Sequence, residues 1–311
     1  MRRAWKREGA KERILAEKGG DGSKIPRSRG GREGRRDRFL RPGERKPYTA
    51  AVLLAAILLG CLLADFIAPY DPGYMSLGEI SRPPGGDHPF GTDTLGRDLF
   101  SAIWYGGRIS LLIGLGATLI STVMAVIYGT AAGLTSRRLD DGMMRLTEIF
   151  MSVPQLLLVM FLQAVMGEAT VFSLAVVIGV TGWMAVAKMV RSEVKQLRNA
   201  GFVLAARTMG AGFFYILRKH LMPNFLSAIL FMVVTNIGSA IAIESTLSFL
   251  GLGLSMNQIS WGSLLSLSQR AMLTGAWWVV LIPGVFLVAT LVCVTELGEY
   301  LRMRNRRDRL V

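Results

Sequence analysis

The chain has 311 residues, 51% of them hydrophobic, and a formal net charge of +14. Its apolar residues are concentrated in blocks too long for the core helices of a small water-soluble domain, so the composition predicts an integral membrane protein. Two cysteines and two histidines are too few for a disulfide framework, a metal cluster or a hydrolytic active site. The sequence also lacks the phosphate-binding pattern G-x-x-x-x-G-K-[ST], which excludes the usual kind of ATP-hydrolysing subunit.

Residues 1–47 are rich in Gly, Arg and Glu and carry 17 Lys or Arg against 7 acidic residues. Such a composition cannot bury enough apolar surface to fold, so it predicts a disordered tail. The basic excess would suit nucleic acid, but a position beside an anionic membrane leaflet explains it more simply, and we expect no nucleic-acid partner. Basic flanks stay on the cytoplasmic side of a membrane, which places this tail in the cytoplasm.

Six apolar segments follow the tail, each close to the roughly 20 residues that an α-helix needs to cross a bilayer. The first is predicted to be a retained helix rather than a signal peptide, because a long tail precedes it and no A-x-A-like cleavage site follows. An even number of spans places the basic tail 299–311 in the cytoplasm as well. The predicted spans cover residues 48–68, 109–134, 149–166, 171–190, 225–243 and 277–294.

Two local patterns add detail to these spans. Gly129 and Gly133 form a small-xxx-small pattern, which predicts a close helix–helix contact. Pro154 and Pro283 lie in the third and sixth spans, where they predict bends because proline cannot donate the helical hydrogen bond.

The segment 69–108 is acidic and rich in Pro and Gly, which indicates turns and extended chain on the outer side of the membrane. Asp93 or Thr94 is predicted to cap a helix over 95–105 that lies along the membrane surface. An exposed histidine beside proline is more often a turn residue than a metal ligand, so His88 is interpreted as structural. We expect the charged residues of this segment to act as caps and ion pairs, and we predict no metal site.

The loop 191–224 connects the fourth and fifth spans and is strongly basic. Its stretch FVLAARTMGAGFFYILRKHLMPN, residues 202–224, predicts a helix, a glycine break at Gly210, a second short amphipathic helix and a Pro-Asn stop. A short amphipathic helix of this kind suits a groove on another protein. The alternative is a helix that lies on the membrane surface. That alternative explains the amphipathicity, but not the glycine break and the Pro-Asn ending together.

Glu244 is an ionisable residue near the outer end of the fifth span, and Asn236 lies two helical turns earlier on a similar face. One interpretation is that these residues line or gate a transport pathway, since ionisable groups at membrane depth usually face a cavity or a partner. The other is a helix-end carboxylate that Ser245, Thr246 or headgroup water satisfies. Both interpretations stay open at this point.

Short runs of small and polar residues indicate a protein family more specifically than hydropathy does. Together they resemble the permease subunits of binding-protein-dependent ABC transporters, and among them the C-type inner-membrane subunit of the oligopeptide, dipeptide and nickel family. The resemblance covers roughly residues 48–300. It rests on the loop 202–224 and on His88-Pro89-Phe90-Gly91-Thr92-Asp93, Leu95-Gly96-Arg97-Asp98, Gly106-Gly107-Arg108-Ile109-Ser110-Leu111 and Leu247-Ser248-Phe249-Leu250-Gly251-Leu252-Gly253.

The resemblance implies an all-α membrane protein with six transmembrane helices and cytoplasmic coupling helices, in which residues 109–298 form the permease core. It implies a permease subunit that moves di- or oligopeptides, or a related small solute such as nickel, across a prokaryotic cytoplasmic membrane by alternating access. The implied partners are a homologous second permease subunit, two ATP-binding subunits and an extracytoplasmic solute-binding protein. No cofactor is expected on this chain, since ATP and Mg would bind the ATPase partners. The alternative is an ion-coupled secondary transporter that uses Glu244.

By the same resemblance, the loop docks on the ATPase subunit and passes its closure to the membrane helices. Leu204 stands where the family usually has glutamate, which changes the polarity of that contact. The residues implied in ATPase coupling are Leu204, Ala205, Ala206, Arg207, Gly210, Phe213, His220, Pro223 and Asn224. Those of the extracytoplasmic motif are His88, Phe90, Gly91, Thr92, Asp93, Gly96, Arg97 and Asp98.

Overall fold

The structure is a computed structural model that describes residues 47–255 and 258–308. The predicted tail 1–47, except its last residue, lies outside these ranges. Within them, the strand-like pairing is limited to an isolated β-bridge between Thr92 and Asp98, and the predicted all-α fold is confirmed. The helices are α1 (Tyr48–Leu62), α2 (Ala64–Ile67), a 3-10 turn (Leu77–Glu79), α3 (Leu99–Leu134), α4 (Arg137–Met151), α5 (Gln155–Met166), α6 (Val171–Gly182), α7 (Met184–Leu197), α8 (Gly201–Thr208), α9 (Phe213–Ile216), a π-helical turn (Leu217–Leu221), α10 (Met222–Phe249), α11 (Trp261–Ser266), α12 (Ser268–Leu273) and α13 (Trp278–Asp308).

Among the residues that the structure describes, three helices are long and apolar enough to cross a membrane by themselves: α3, the continuous helix Phe214–Phe249, and the stretch Trp278–Asn305 of α13. Two further candidates are pairs of helices that meet at a bend, α4 with α5 at 82° and α6 with α7 at 46°. The count is five if each bent pair is one span. The shorter apolar helix α1 has 15 residues. These elements overlap the six predicted apolar segments, although the third segment, 149–166, contains the corner between α4 and α5, and the number of spans stays a prediction.

The start of α3 differs from the prediction. This helix begins at Leu99 and runs for 36 residues, so the predicted separate surface helix 95–105 is wrong. Asp98 is the cap, since its Oδ2 accepts hydrogen bonds from the Ser101 backbone N–H at 2.8 Å and from the Ser101 hydroxyl at 2.6 Å. Because no helix breaker follows, the predicted boundary between residues 108 and 109 falls inside α3.

Prolines act differently in the two spans where they were expected to cause bends. Pro154 directly precedes α5 and stands at the 82° corner between α4 and α5, so the bend predicted there is confirmed. Pro283 instead lies inside α13, which continues through it as one helix. The second bend, at Trp183 between α6 and α7, follows no proline and was not predicted.

The predicted Pro-Asn stop is wrong, because α9 continues through the π-helical turn Leu217–Leu221 into α10. Pro223 lies in the first turn of α10, where its missing N–H is best tolerated. The N–H of Met222 reaches back five residues to the start of the π turn, a wider turn that inserts one extra residue into the helix. Asn224 Nδ2 donates to the carbonyl oxygen of His220 at 2.6 Å and satisfies an acceptor at the same junction.

Helices α3 and α7 pack closely along a face of small residues. A Cβ atom at Gly129 would lie 2.5 Å from the carbonyl oxygen of Ala187 and 2.7 Å from the Cβ of Val190. A Cβ atom at Gly133 would lie 2.8 Å from Cγ1 of Val194. Neither position has room for a side chain, so the predicted small-residue packing face is confirmed. The contact holds α7 directly against α3.

Candidate functional site

We call residues 191–224 the candidate coupling segment. Its glycine break is a defined helix ending at Gly210, whose φ of +82° is the left-handed conformation that glycine adopts without strain. The Gly210 N–H donates to the Arg207 carbonyl at 3.0 Å, and the Ala211 N–H donates to the Ala206 carbonyl at 3.0 Å. These two bonds form a Schellman motif at the end of α8. A Cβ at Gly210 would meet nothing of this chain within 4 Å, so the glycine serves the backbone conformation.

One face of the candidate coupling segment is anchored in the helix bundle. Val203 and Ala206 of α8 are buried, as are Ile216 and Leu221 on the second half of the segment. Burial of such side chains stabilises the segment in a fixed position rather than leaving it as a mobile loop. The buried cluster to which they belong consists of Ala125, Val186, Ala187, Val190, Val194, Val203, Ala206, Ile216, Leu221, Phe225 and Ile229.

The other face of the segment exposes large apolar side chains. Phe214 and Met209 are each 81% exposed, and Phe202, Leu204 and Tyr215 are about half exposed. Contiguous exposed apolar side chains of this size mark interaction surfaces more often than free protein surface. Basic side chains lie on the same exposed part of the segment: Arg207, Arg218 and Lys219. The surface therefore suits a protein partner with an apolar groove and an acidic rim.

Most of the predicted coupling residues lie on this exposed face, while two of them are partly or fully enclosed. Ala206 is buried, so it packs inside the chain rather than presenting a surface. His220 is half-buried, with its ring 6.0 Å from that of Phe202 and 5.8 Å from that of Tyr215. The side chain of Phe213 lies outside the description. The exposed members are Leu204, Ala205, Arg207, Gly210, Pro223 and Asn224.

An ion cluster around one buried carboxylate joins α4 to α7 just before the candidate coupling segment turns into α8. Asp140 is 1% exposed. Its carboxylate pairs with the guanidinium of Arg191, with Nη2 at 2.6 Å from Oδ2, and with the ammonium of Lys195. The Arg191 guanidinium, helped by Lys195, lowers the pKa of Asp140 to about 2. This cluster was not predicted from the sequence, because 51 and 55 residues separate the partners and no local pattern connects them.

Two further contacts of α7 help to define the same region. Arg198, directly after α7, donates through Nη1 to the carbonyl oxygen of Gly133 at 2.8 Å, at the end of α3. Lys188 and Glu148 form a second ion pair between α7 and α4, with 3.5 Å between Nζ and Oε1. The two pairs differ in the carboxylate, since the Glu148 side chain is 64% exposed and that of Asp140 is 2% exposed, whereas Lys188 and Lys195 are similarly exposed at 35% and 34%. The two ion pairs therefore join the same helices in different environments.

Glu244 lies inside a cluster of serine hydroxyls and is fully buried. Its Oε1 accepts hydrogen bonds from Ser260 at 2.7 Å and Ser248 at 2.9 Å, and its Oε2 accepts from Ser110 at 3.2 Å and Ser245 at 3.4 Å. These serines belong to α3, to α10 and to the cap of α11, so one carboxyl group connects three elements.

This arrangement corrects the helix-end interpretation of Glu244. The residue is one turn inside α10, which continues to Phe249. Ser245 does contribute, but the hydroxyl of Thr246 donates to the Ala242 carbonyl instead. Asn236 makes a separate contact, donating from Nδ2 to the Ser121 hydroxyl at 2.7 Å between α10 and α3. A pathway role for Glu244 and Asn236 stays a prediction.

The extracytoplasmic motif of the sequence analysis folds around Asp93, which is fully buried. Asp93 Oδ1 accepts from the backbone N–H groups of Leu95 at 2.8 Å and Arg97 at 2.9 Å, and Oδ2 pairs with Arg97 Nε at 2.8 Å. The expected ion pair is therefore present, within a turn rather than at a helix cap. Gly91 and Gly96 occupy turns on either side, each with a φ of +74°.

His88 belongs to the same folded turn. Its Nδ1 lies 2.9 Å from Oδ1 of Asp98, the residue that caps α3, and its Nε2 lies 3.5 Å from Oε2 of Glu79. The His88 ring also packs 4.9 Å from the ring of Tyr70. His88 is buried, so the expectation of an exposed histidine is wrong, while its contacts agree with a structural rather than a metal-binding role.

The remaining motif residues attach the turn to the bundle. Phe90 packs on Phe100 with ring centroids 5.0 Å apart. The carbonyl oxygen of Thr92 accepts a hydrogen bond from Trp278 Nε1 at 3.1 Å, which reaches α13. In the part of the chain that the structure describes, no group of three or more His, Cys, Asp or Glu side chains is arranged to hold a metal ion.

Comparison with known proteins identifies the class to which this fold belongs. Residues 125–307 match the family described as the inner membrane component of binding-protein-dependent transport systems. A dipeptide transport system permease protein of Bacillus subtilis (strain 168) is 40% identical over 250 residues, which cover 80% of this chain and 78% of the relative. An oligopeptide transport system permease protein of the same organism is 36% identical over 251 residues, covering 81% and 82% of the two chains.

Among solved structures, a chain of the MetNI methionine ABC transporter, solved in inward facing conformations, is similar with a TM-score of 0.53. Its sequence identity is 18%, and the match covers 66% of this chain and 96% of that chain, so the likeness shows the fold alone. The chain belongs to the family of inner membrane components of binding-protein-dependent transport systems. It is a permease subunit, and the alternative of an ion-coupled secondary transporter that uses Glu244 is not supported.

Proposed function

We propose that this chain is the C-type permease subunit of an ATP-driven importer of di- or oligopeptides, or of a related small solute such as nickel. The similarity to permeases named for dipeptide and oligopeptide transport, at 40% and 36% identity over most of the chain, supports the peptide cargo. The subunit moves its cargo by alternating access, in which the helix bundle changes between two arrangements.

The observation that carries this proposal is the geometry of the candidate coupling segment. Its exposed face presents Phe214 and Met209, while its buried face is packed on α7 and α10. The helix that begins at Phe214 continues without a stop to Phe249. A partner that pushes on the exposed face thus acts on one end of a continuous membrane helix. We assign this face to the ATPase subunit.

The same proposal defines partners and orientation. A homologous second permease subunit, two ATP-binding subunits and an extracytoplasmic solute-binding protein complete the transporter. ATP and Mg bind the ATPase subunits, and this chain hydrolyses no ATP itself. The basic candidate coupling segment and both chain ends face the cytoplasm, in agreement with their excess of Lys and Arg, and the turn around Asp93 faces outward. The permease core comprises residues 109–298, and six spans cross the membrane.

Uptake by the reconstituted complex tests the proposal. The tagged permease is purified with its associated subunits, placed in proteoliposomes with the binding protein, and supplied with a radiolabelled dipeptide. We expect uptake that requires ATP and the binding protein and that a proton gradient alone does not drive. Gradient-driven uptake without ATP would overturn the mechanism, and ATP-driven uptake of nickel but not of the dipeptide would correct the cargo.

A further inference from the structure

We propose that Asp140 is a positioning residue for energy coupling, which clamps α4 to α7 so that the candidate coupling segment and the α3–α4 corner move as one unit. The inference deepens the proposed function and rests on it. The site consists of a carboxylate on α4 and two cations on α7, and none of these residues belongs to the sequence motifs that carry the family resemblance.

The basic residues at the end of α7 are spaced so that they share one face of the helix. Arg191, Lys195 and Arg198 stand at i, i+4 and i+7, so they lie along one face of the helix. Arg191 and Lys195 bind Asp140, and Arg198 binds the Gly133 carbonyl. A single face of α7 therefore holds both sides of the corner where α3 ends and α4 begins.

This face of α7 lies directly before the connection to α8 in the sequence. After Arg198, a short connection leads into α8, which begins at Gly201. Arg198 lies three residues before Gly201 and Lys195 six residues before it, so the clamp is close in sequence to the helix that carries the surface we assign to the ATPase subunit.

The two ion pairs between α4 and α7 differ in how far their carboxylates are buried, and therefore in how much they contribute to the position of the helices. Asp140 is buried, and neutralising it leaves the cations of Arg191 and Lys195, whose side chains are 24% and 34% exposed, next to each other without the carboxylate that both of them bind. In the Lys188–Glu148 pair the Glu148 side chain is 64% exposed, and an ion pair with so exposed a carboxylate contributes little. The same two helices therefore carry one contact that determines their relative position and one that does not.

Other contacts with α3 hold both α4 and α7 in the bundle when the clamp is removed. Helix α7 remains packed on α3 through Gly129 and Gly133 whether or not Asp140 is charged. Helix α4 keeps a second attachment to α3, because the Tyr128 hydroxyl donates to the Met143 carbonyl at 2.7 Å. Loss of the clamp should therefore loosen α4 against α7, which then meet through the Lys188–Glu148 pair, without disrupting the bundle.

The test uses the complete transporter in proteoliposomes. ATP hydrolysis is measured with and without the binding protein loaded with a dipeptide, and the ratio of the two rates is the readout. For Asp140→Asn we expect this stimulation ratio to fall about 5-fold or more, a usual size for allosteric coupling. The variant should still copurify with the ATPase subunits in normal amount and keep the wild-type basal rate. Glu148→Gln, the matched control on the same pair of helices, should keep the wild-type ratio.

A double-variant cycle strengthens the assignment. Arg191→Gln should lower the ratio as well, and Asp140→Asn combined with Arg191→Gln should lower it by less than the product of the two single effects, since both remove one contact. If Asp140→Asn fails to assemble, Lys195→Gln replaces it, because the Arg191–Asp140 pair then remains. A wild-type ratio in an assembled clamp variant, or an equal loss in Glu148→Gln, would overturn the clamp. Absence of stimulation in the wild-type complex would instead contradict the proposed function.

Discussion

The N–H of Gly210 lies 3.0 Å from the carbonyl oxygen of Arg207, and this hydrogen bond closes the turn between α8 and α9. The turn sets the angle between the two halves of the candidate coupling segment. Because the bond requires a φ of +82° at Gly210, the orientation of both short helices depends on one backbone conformation.

Gly210→Val should therefore disturb coupling more than its size suggests. A β-branched residue in the left-handed region costs at least about 1–2 kcal/mol, which displaces the turn although the site has space for a side chain. We expect reduced stimulation of ATP hydrolysis by loaded binding protein in an assembled complex. Gly210→Asn should cost much less, since asparagine tolerates this conformation, and Gly212→Val tests the added bulk alone. Equal effects of all three substitutions would argue against a conformational role.

Phe214→Ser should weaken attachment of the ATPase subunit. The side chain is 81% exposed on the candidate coupling segment, and truncation of a central aromatic residue at an interface commonly costs about 2 kcal/mol or more. We expect a loss of roughly 10-fold or more in the affinity of detergent-solubilised permease for its ATPase, measured by titration. Phe172→Ser is the control, because Phe172 is similarly exposed at the start of α6. Unchanged affinity in Phe214→Ser would move the docking surface elsewhere.

Glu244→Leu should destabilise the bundle by about 1–3 kcal/mol, because serine hydroxyls from three elements would lose a buried acceptor. The measurement is thermal unfolding of the solubilised protein. Thr246→Val serves as the control, since the Thr246 hydroxyl bonds only within its own helix and should matter less. Uptake by Glu244→Gln, which keeps a hydrogen-bonding side chain, tests the pathway role separately. If the Glu244→Gln variant assembles normally and shows wild-type uptake, Glu244 has a structural role and no role in the pathway.

The Asp140 clamp should be sensitive to acid. Arg191 and Lys195 lower the pKa of Asp140 to about 2 in the folded protein, against roughly 3.9 in an unfolded chain. The resulting stabilisation, on the order of 2 kcal/mol, is fully present above a pH of about 4 and is lost as the pH falls through about 2. The difference in thermal stability between wild type and Asp140→Asn should therefore shrink over that range. A difference independent of pH would contradict an ionic clamp.

Hydropathy and local pattern were sufficient to predict the all-α fold and the approximate position of each apolar segment. They also predicted the break at Gly210 and the packing face at Gly129, because glycine is the residue that adopts a positive φ without strain and that allows two helices to approach closely. The Pro-Asn stop was predicted wrongly, since proline is compatible with the first turn of a helix and the π turn is visible only in the backbone.

The polar sites were the least predictable part of the molecule. Glu244 was recognised as unusual, but its partner Ser260 lies 16 residues away and Ser110 lies 134 residues away. Asp140 was not recognised, because a charged residue on an amphipathic helix normally faces solvent. Long-range pairing of this kind depends on how helices pack, and periodicity within one helix carries no information about it.

The glycine contact between α3 and α7 also limits how this chain can change in length. Insertion of one residue in α7 ahead of Ala187 would rotate the following turns by about 100° and advance them by about 1.5 Å. Bulky side chains would then meet Gly129 and Gly133 in place of the carbonyl and the valines that now fit there. Insertions and deletions should therefore accumulate in the connections outside this helix pair, while the number of residues inside it is kept.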